Sequence, residues 1–584
     1  MQGVDGSRRS ARSDLSSGIL AGIGANLPIL LLAAVLIVAT ILISPKKPFW
    51  IDELFSYYLV SAKSFATLFG AFHEELNASP FAYFGLGWLW GKAFGVSELS
   101  LRLFSSIGFS IAAILMWTVL RRAYGFWAAT FGCLGVFCTA GLIISQNADA
   151  RMYGLFAAGV AWTILLSDRL AAKERPPVGL LVLNGVANAL VVHTHVLGLF
   201  YSGAVALAFG LSELRRQGWT VRPLAKRLGV FVSFLAAWAS FLLYLPSLLV
   251  QAEATNPYGW VPRPILSDLT SLLGISWGNS VSPPWASLVS PLVFVLLFVL
   301  AGAREILLGR TADGATAAPG GPASRSDNWH LVCLAIILVL LPVAVWVLSI
   351  LTRPFFYPRY LVPSALGWTI LLASGAQYLV AGPAQLTSLP RGRRVCWALV
   401  LTSASAVLLA LPLMYAITFR AEPRPGSGDN VYGHQSLPIV LQDSHTFMVR
   451  HYYAGAAGRY FYVLDWDSTN TSASGRFGIQ EYKHMVAFRR ALPSEFGAQI
   501  VNSDEFLKTH DTFLVLTDAD YDAQCRIDIS GIYRAFEESK LTCPQWVFRR
   551  LAGNPDWEIS DLGPVSKQRM LLVRRRDFKT DAPR

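Results

Sequence analysis

The stretch LPILLLAAVLIVATILISPKKPFWIDELFSYYLV, residues 27–60, joins a long apolar run to a polar segment with two adjacent carboxylates. The run Leu27–Ile43 is long and apolar enough to cross a membrane as a helix. No convincing small-residue cleavage site follows it, so we expect a retained helix rather than a removed signal peptide. Asp52 and Glu53 then stand at the membrane edge, where carboxylates are costly to bury without a function or a partner. The alternative is a simple helix cap, with Asp52 at the start of a short interfacial helix.

The composition of the whole chain extends this picture. Of its 584 residues, 53% are hydrophobic and only 15% are charged, against about 25% charged in an average soluble protein. The mean hydropathy is +0.44. These values exclude a disordered chain and argue against an ordinary soluble enzyme. The apolar runs predict a polytopic α-helical membrane protein with about eleven spans, namely 25–44, 102–120, 126–146, 150–167, 178–194, 196–213, 228–250, 286–303, 330–351, 360–381 and 395–417.

The charges predict the orientation of these spans. The formal net charge is +12, but Lys and Arg cluster in short loops, so we interpret it as topology control and expect no nucleic-acid partner. Nineteen Lys and Arg residues lie on one side and nine on the other, before the C-terminal part. The positive-inside rule therefore predicts a cytoplasmic tail at 1–24, a transmembrane module at 25–417 with an outer loop at 45–101, and a periplasmic domain at 418–584.

The C-terminal part has a different pattern. Short runs rich in β-branched and aromatic residues predict strands at 437–443, 459–465, 513–518 and 569–575, with a helix near 444–454. This alternation is typical of a small α/β domain. Cys525 and Cys543 lie there and would be able to form a disulfide if the domain is exported; two separate buried thiols are the alternative.

Three further polar clusters fall on the same outer side as Asp52. They are QNADARMYGLF (146–156), VVHTHVLGLF (191–200) and LTRPFFYPRYLVP (351–363). Each has a plain structural interpretation: an interfacial or snorkelling arginine, a packed histidine, or an aromatic belt with a basic anchor. Arg359 and Tyr360 are predicted to begin a helix, whose N-terminus would attract an anion. Together, the clusters favour an anionic, sugar-like substrate, because a departing phosphate needs cations and an acceptor hydroxyl needs a base.

In this order, the motifs resemble the lipid-linked-sugar glycosyltransferases of the GT-C fold. The family is the broad one of protein O-mannosyltransferases, aminoarabinose transferases and lipopolysaccharide galacturonosyltransferases. The motifs that carry the resemblance are the Asp52-Glu53 pair, SPFAYFGLGWLWGKAFGVSELSLRLFS (79–105), ADARMYGL (148–155), HTHVLGLF (193–200), NPYGWVPRP (256–264) and FYPRYLVPS (356–364). The resemblance covers roughly residues 25–380, with a looser match in the C-terminal domain.

The resemblance implies roles for individual residues. Asp52 matches the catalytic base of the family and Glu53 its acceptor-positioning partner. The residues expected near the donor phosphate or sugar are Arg151, His195, Arg359, Tyr360 and Asp149, of which Asp149 stands where relatives usually have Glu preceded by Gln. Tyr258 and Trp260 are expected in an acceptor-binding loop. We expect no cofactor and do not favour a metal, since no ligand set is visible beyond Asp52 and Glu53.

The resemblance thus implies an inverting glycosyltransferase of the bacterial inner membrane. It would move a monosaccharide from a polyprenyl-phosphate carrier to a periplasmic hydroxyl on a lipid, glycan or protein. A transporter or flippase for a lipid-linked glycan is the first alternative, with the arginines as a phosphate pathway. A membrane scaffold whose C-terminal domain binds a partner is the second. A transporter has no need of Asp52 in an outer loop and more often contains repeats, and a scaffold needs none of the polar clusters.

Overall fold

The structure of the protein, a computed structural model, consists of a helical part and a C-terminal α/β domain. It describes residues 26–74, 76, 79–216, 227–254, 261, 263–266, 268–269, 328–379, 390–454, 457–471, 475–518, 546–566 and 568–576. The predicted tail 1–24, the predicted span 286–303, the loop residues Tyr258 and Trp260, and Cys525 and Cys543 lie outside these residues.

The helical part runs to residue 418. Its α-helices are Ile51–Val60, Phe65–Phe72, Ala82–Phe94, Glu98–Tyr124, Phe126–Phe137, Gly141–Asn147, Tyr153–Ala171, Val178–Thr194, Gly198–Arg216, Leu228–Ser240, Leu245–Ala254, Trp329–Leu351, Ala365–Leu379 and Arg391–Thr418, preceded by a first helix that ends at Lys46. Ser97 caps the long helix Glu98–Tyr124 by accepting a hydrogen bond from the Ser100 amide. Gly125, with φ of 90°, ends it in the left-handed region.

Five helices of the described residues are long and apolar enough to cross a membrane, so the protein is a multi-pass membrane protein. They are Asn26–Lys46, Glu98–Tyr124, Tyr153–Ala171, Trp329–Leu351 and Val395–Thr418. Two bent pairs raise the number to seven if each is one span: Phe126–Phe137 with Gly141–Asn147, bent by 69°, and Leu228–Leu243 with Leu245–Glu253, bent by 51°. The predicted count of eleven is therefore not confirmed. The helices Val178–Thr194, Gly198–Arg216 and Ala365–Leu379 fall on three further predicted spans, 178–194, 196–213 and 360–381, but they are shorter or less apolar than a standard span.

The helices Glu98–Tyr124 and Tyr153–Ala171 pack with their backbones in contact. A side-chain Cβ at Gly154 would come within 1.9 Å of the Ser105 carbonyl oxygen, and one at Gly108 within 2.4 Å of the Gly154 carbonyl carbon. Small residues at such a crossing let transmembrane helices approach closely. The contact fixes the start of Glu98–Tyr124 beside the turn at residues 148–152, which leads into Tyr153–Ala171.

Hydrogen bonds show which loops lie together at each of the two ends of the helical bundle. At one end, called the site end because it carries Asp52, the Lys46 ammonium donates to the carbonyl oxygens of Ala416 and Ile417. At the other, called the opposite end, Arg121 donates to the Asn26 side chain. Loops that alternate between the ends in this way agree with successive crossings of a membrane.

The α/β domain contains one six-stranded sheet. Its strands are β1 (Ile439–Leu441), β2 (Tyr460–Leu464), β3 (Ile500–Asn502), β4 (Thr512–Asp518), β5 (Trp557–Val565) and β6 (Gln568–Arg575), in the order β3-β2-β1-β4-β6-β5. The first four are parallel, whereas β6 pairs antiparallel with β4 and β5. Four strands lie where the sequence predicts them, and β3 and β5 were not predicted.

The helices of this domain surround the parallel strands. They are Ser444–Tyr453, Trp466–Thr471, Gly475–Ala491, Pro493–Phe496, Ser503–Thr509 and Trp546–Leu551. Asp443 caps the first of them by accepting a hydrogen bond from the Thr446 amide at 2.8 Å. β1 is buried along its whole length, as expected for a strand covered on both faces. The position of the domain relative to a membrane stays a prediction.

Candidate active site

Asp52 lies in the first turn of the helix Ile51–Val60, called the Asp52 helix below, and meets two arginines from distant segments. Its Oδ2 is 2.8 Å from Nη2 of Arg359 and 3.9 Å from Nη2 of Arg151. Nη1 of Arg151 also donates to the backbone oxygen of Asp52 at 2.8 Å. The Asp52 side chain is 18% exposed and the Arg359 side chain 13%. The carboxylate and both cations thus share one partly open face, and three of the sequence-predicted site residues lie together.

Arg359 is surrounded by aromatic rings. Its guanidinium carbon is 4.8 Å from the ring centroid of Trp50, 4.7 Å from that of Tyr357 and 5.9 Å from that of Tyr360. The sequence predicts that Arg359 and Tyr360 begin a helix, and the structure confirms a helix start there, although the first turns are 3-10 rather than α-helical. They lie in the 3-10 segment Pro358–Ser364, which contains two prolines, and the α-helix begins only at Ala365. Aromatic faces therefore surround this cation in the first turn of the 3-10 helix.

Glu53 is enclosed, in contrast to its neighbour Asp52. Arg102 holds it with two parallel hydrogen bonds of 2.9 and 2.8 Å, and neither side chain has any exposed surface. Glu53 also accepts the Ala150 amide at 2.7 Å and the Trp50 amide at 3.3 Å. The resemblance implied contact with an acceptor, whereas the structure places this carboxylate in the interior. Its bonds join the start of the Asp52 helix to the segment that carries Arg151.

Arg102 and Lys47 are parts of this arrangement that sequence reasoning missed. Arg102 also donates to the backbone oxygens of Ser44, at 3.0 Å, and Lys47, at 2.7 Å. Lys47 in turn forms an ion pair with Asp149, whose side chain is nearly buried. One signal was available for Arg102: a single arginine in the apolar stretch LSLRLFS (99–105) needs a buried partner. Lys47 gave no such signal, since it follows Lys46 at a membrane edge.

His195 is buried beside the two arginines and is neutral. Its ring lies 5.0 Å from that of Phe156, nearly parallel, and 5.0 Å from that of Tyr360. Burial, and after it the charges of Arg151 and Arg359, lower the pKa of His195 to about 3. Its Nδ1 accepts a hydrogen bond from the Leu197 amide at 3.1 Å, which assigns the proton to Nε2. His195 therefore offers one neutral N–H donor and no positive charge.

Two of the predicted residues and the question of a metal site remain. Tyr258 and Trp260 lie outside the described residues. Where the chain is described, no three side chains among His, Cys, Asp and Glu come together as a set of metal ligands. The positive charge near Asp52 comes from arginine side chains.

Comparisons with known proteins identify the fold. The structure is similar to the crystal structure of ArnT from Cupriavidus metallidurans in the apo state, with a TM-score of 0.56 and 14% identity over 93% of this chain and 97% of that chain. For ArnT bound to undecaprenyl phosphate the TM-score is 0.54, with the same identity and coverage. The likeness to the apo oligosaccharyltransferase of Archaeoglobus fulgidus has a TM-score of 0.46 and 12% identity, over 85% of this chain and 70% of that chain. No family model and no curated protein sequence matches the chain.

The likeness to ArnT confirms the fold that the sequence motifs implied. The chain has the GT-C fold, and the match extends over both the helical part and the α/β domain, since it covers 93% of the chain. At 14% identity the likeness concerns the fold, and the chemistry has to be argued from the residues themselves.

Proposed function

We propose that the protein is an inverting glycosyltransferase that moves a monosaccharide from a polyprenyl-phosphate carrier to a hydroxyl of a membrane lipid, glycan or protein. The observation that carries this proposal is the meeting of Asp52 with Arg359 and Arg151 on one partly open face. The GT-C fold supports the class of reaction, and the ArnT structure with undecaprenyl phosphate supports the class of donor.

The arginines suit the phosphate of the donor. A guanidinium offers two parallel N–H groups to phosphate oxygens, and it keeps its charge at every accessible pH. Arg359 is oriented by its aromatic neighbours and is still partly exposed, so we assign it the main contact with the phosphate. Arg151, held by the Asp52 backbone oxygen, supplies a second positive charge. Both would stabilise the negative charge that grows on the phosphate as it leaves.

Asp52 suits the acceptor. In the proposed step the acceptor oxygen attacks the anomeric carbon while the bond from that carbon to the phosphate oxygen breaks. The acceptor proton moves to the Asp52 carboxylate, and the bonding electrons leave with the polyprenyl phosphate. A single displacement of this kind inverts the anomeric configuration.

The proposed base, Asp52, and the proposed phosphate ligands, Arg359 and Arg151, form ion pairs with one another in the structure. An arriving phosphate would compete with the Asp52 carboxylate for the Arg359 and Arg151 guanidiniums, because both anions use the same N–H groups. Donor binding would then draw the arginines from Asp52 and free the carboxylate for the acceptor hydroxyl. In this proposal the base becomes available only when the donor is in place.

The neutral His195 suits an uncharged part of the donor. Its Nε2–H can donate to a sugar hydroxyl or to an ester oxygen, and the ring of Tyr360 lies beside it. We assign both residues to the sugar rather than to the phosphate charge. The resemblance implied that Asp149 contacts the donor; because its carboxylate forms an ion pair with Lys47, we assign it instead the role of orienting that ammonium.

We further propose that the site faces the periplasm from the inner membrane, with the N-terminus in the cytoplasm. The excess of Lys and Arg at the opposite end supports this orientation. An alkaline phosphatase fusion after Arg420 should be active, because the enzyme folds only outside the cytoplasm, and a fusion at Arg122 should be silent. The reverse pattern would overturn the orientation.

The reaction is tested with membranes that contain defined polyprenyl-phosphate sugars and the full-length protein. Wild type should release polyprenyl phosphate and form a glycosylated acceptor, and Asp52→Asn should do so far more slowly. Movement of the labelled donor across the membrane without transfer, equal in wild type and variant, would instead identify a transporter.

A further inference from the structure

The α/β domain rests on the Asp52 helix through the helix Ser444–Tyr453, called the docking helix. The ring of Tyr452 lies 4.8 Å from that of Tyr57 and 5.7 Å from that of Phe49. His451 lies beside Tyr58, with 3.3 Å between its Nδ1 and the tyrosine hydroxyl. The domain is therefore in direct contact with the helix that presents Asp52.

Two further aromatic contacts widen this interface. The ring of Tyr58 lies 4.9 Å from that of Phe496, and the ring of Phe55 lies 5.0 Å from that of Phe488. Phe488 and Phe496 are both buried. Aromatic pairs at these separations add to the free energy of burial without fixing any hydrogen-bonding group. Packing of this kind explains why the domain docks.

Tyr453 makes a different kind of contact. Its hydroxyl accepts the Phe49 amide at 2.6 Å and donates to the Glu98 carboxylate. Burial and the Glu98 bond both raise the pKa of Tyr453, so the hydroxyl keeps the proton that it donates. A single phenol from the α/β domain thus binds two segments of the membrane part.

Both segments lead to Asp52. Phe49 precedes it by three residues in the irregular segment that leads into the Asp52 helix. Glu98 lies one helical turn before Arg102, with 3.9 Å between Glu98 Oε2 and Arg102 Nη1. Arg102 in turn holds Glu53, the residue next to Asp52.

We propose that Tyr453 is a positioning residue for the transfer reaction, and that its hydroxyl fixes the segment Phe49–Glu53 so that Asp52 faces the reacting groups. This inference rests on the proposed function of Asp52. The α/β domain then belongs to the scaffold of the active site.

The neighbour Tyr452 provides a matched control. It stands on the same helix and packs against the same segment, but its hydroxyl makes no side-chain hydrogen bond within the described part of the chain. Tyr453→Phe and Tyr452→Phe therefore remove the same atom from adjacent positions. Only Tyr453→Phe removes a hydrogen bond to the segment Phe49–Glu53.

The experiment measures kcat and KM for both substrates in full-length protein in lipid nanodiscs. Tyr453→Phe should lower kcat about tenfold with both KM values within about twofold of wild type, since misplacing a reacting group by about 1 Å costs up to about a hundredfold. Tyr452→Phe should stay within about twofold of wild type in every constant. Equal kcat in the two variants would overturn the proposal.

Hydrogen exchange of the amides in residues 49–54 gives a second reading that needs no turnover. Loss of one net hydrogen bond should speed their exchange about two- to tenfold in Tyr453→Phe and leave it unchanged in Tyr452→Phe. If wild type shows no sugar transfer, the proposed function fails, and this measurement still decides whether Tyr453 fixes the segment. Unchanged exchange in Tyr453→Phe would overturn the positioning role. Should that variant fold poorly, Glu98→Ala removes the other partner of the hydroxyl and should lower kcat in the same direction.

Discussion

Both ends of the helical part hold carboxylate–arginine pairs, and the pairs differ in how fully they are enclosed. At the opposite end, Arg227 binds Glu213 with hydrogen bonds of 3.0 and 3.1 Å, and their side chains are 4% and 2% exposed. At the site end, Asp52 and Arg359 are joined through one oxygen and are 18% and 13% exposed. The enclosed pair is saturated, whereas the open one has room to exchange partners with a ligand.

The rest of the opposite end supports this distinction. Arg227 also donates to the backbone oxygens of Lys173 and Glu174, so its charge serves to join loops. The Glu53–Arg102 pair at the site end is of the same closed kind. Carboxylate–arginine pairs therefore serve different purposes. How exposed a pair is distinguishes a structural pair from a proposed functional one better than the residue types that form it. The predictions below test this contrast by its effect on turnover.

Asp52→Asn should have the largest effect. It keeps the size of the side chain and removes the base, and the loss of a general base costs about 10²–10⁴-fold in rate. We expect this loss in kcat, with the donor still bound, measured as sugar transfer and as binding of labelled polyprenyl phosphate. A variant with more than about a third of wild-type turnover would show that Asp52 is not the base.

Arg359→Lys should have the next largest effect. Lysine keeps the charge but cannot reproduce the two parallel hydrogen bonds of the guanidinium, so donor affinity should fall about tenfold, the cost of about one hydrogen bond to a charged group. The measurement is the dissociation constant of polyprenyl phosphate by equilibrium binding, with Arg353→Lys, an exposed arginine of the same loop, as the control. Unchanged donor binding in Arg359→Ala would move the phosphate site elsewhere.

Glu213→Gln should leave turnover per folded molecule within about threefold of wild type while it lowers stability. Removing one partner of a buried pair leaves the other charge uncompensated, at a cost of about 3–5 kcal/mol. Thermal unfolding in detergent measures this loss. Arg216→Ala, which removes only the exposed partner of Glu213 at 3.3 Å, should cost at most about 1 kcal/mol. A large fall in kcat for Glu213→Gln in folded protein would remove the distinction between the two ends.

Chelation should have the smallest effect. If the arginines supply the positive charge for the leaving phosphate, treatment with EDTA followed by dialysis should change kcat by less than about twofold, because no step then depends on a metal. Transfer rates before and after treatment, and after adding back Mg²⁺ or Mn²⁺, provide the measurement. Loss of activity that a divalent ion restores would contradict this assignment.

The sequence predicts the general plan because the plan depends on local patterns. Apolar runs locate the helices, and alternating residues locate four of the six strands. Loop charges place Asp52, Arg151 and Arg359 on one side, and the structure brings these three together. Hydropathy alone does not reveal that 126–146 is two helices bent by 69°, because a bend leaves the apolar content unchanged.

The inner arrangement of the site depends on contacts that no local pattern encodes. Adjacent helical residues point about 100° apart, so Asp52 and Glu53 face different surroundings, and their spacing does not tell which of the two lies inside. The choice is made by Arg102, 49 residues after Glu53, and by the close packing of Gly108 on Gly154 that places Arg102 there. Pairings over such separations follow only from the folded chain.

The bond between Phe49 and Tyr453 joins positions 404 residues apart. At about 5–20 residues per second, a ribosome needs roughly 20–80 s to add the second after the first. During that time the Asp52 helix has already emerged, and its aromatic partners in the α/β domain have not yet been synthesised. In the proposed arrangement the carboxylate takes its final orientation only after the α/β domain has been synthesised, transported and folded. Maturation and full activity then coincide, because a chain without the folded α/β domain lacks the Tyr453 hydroxyl that positions Asp52.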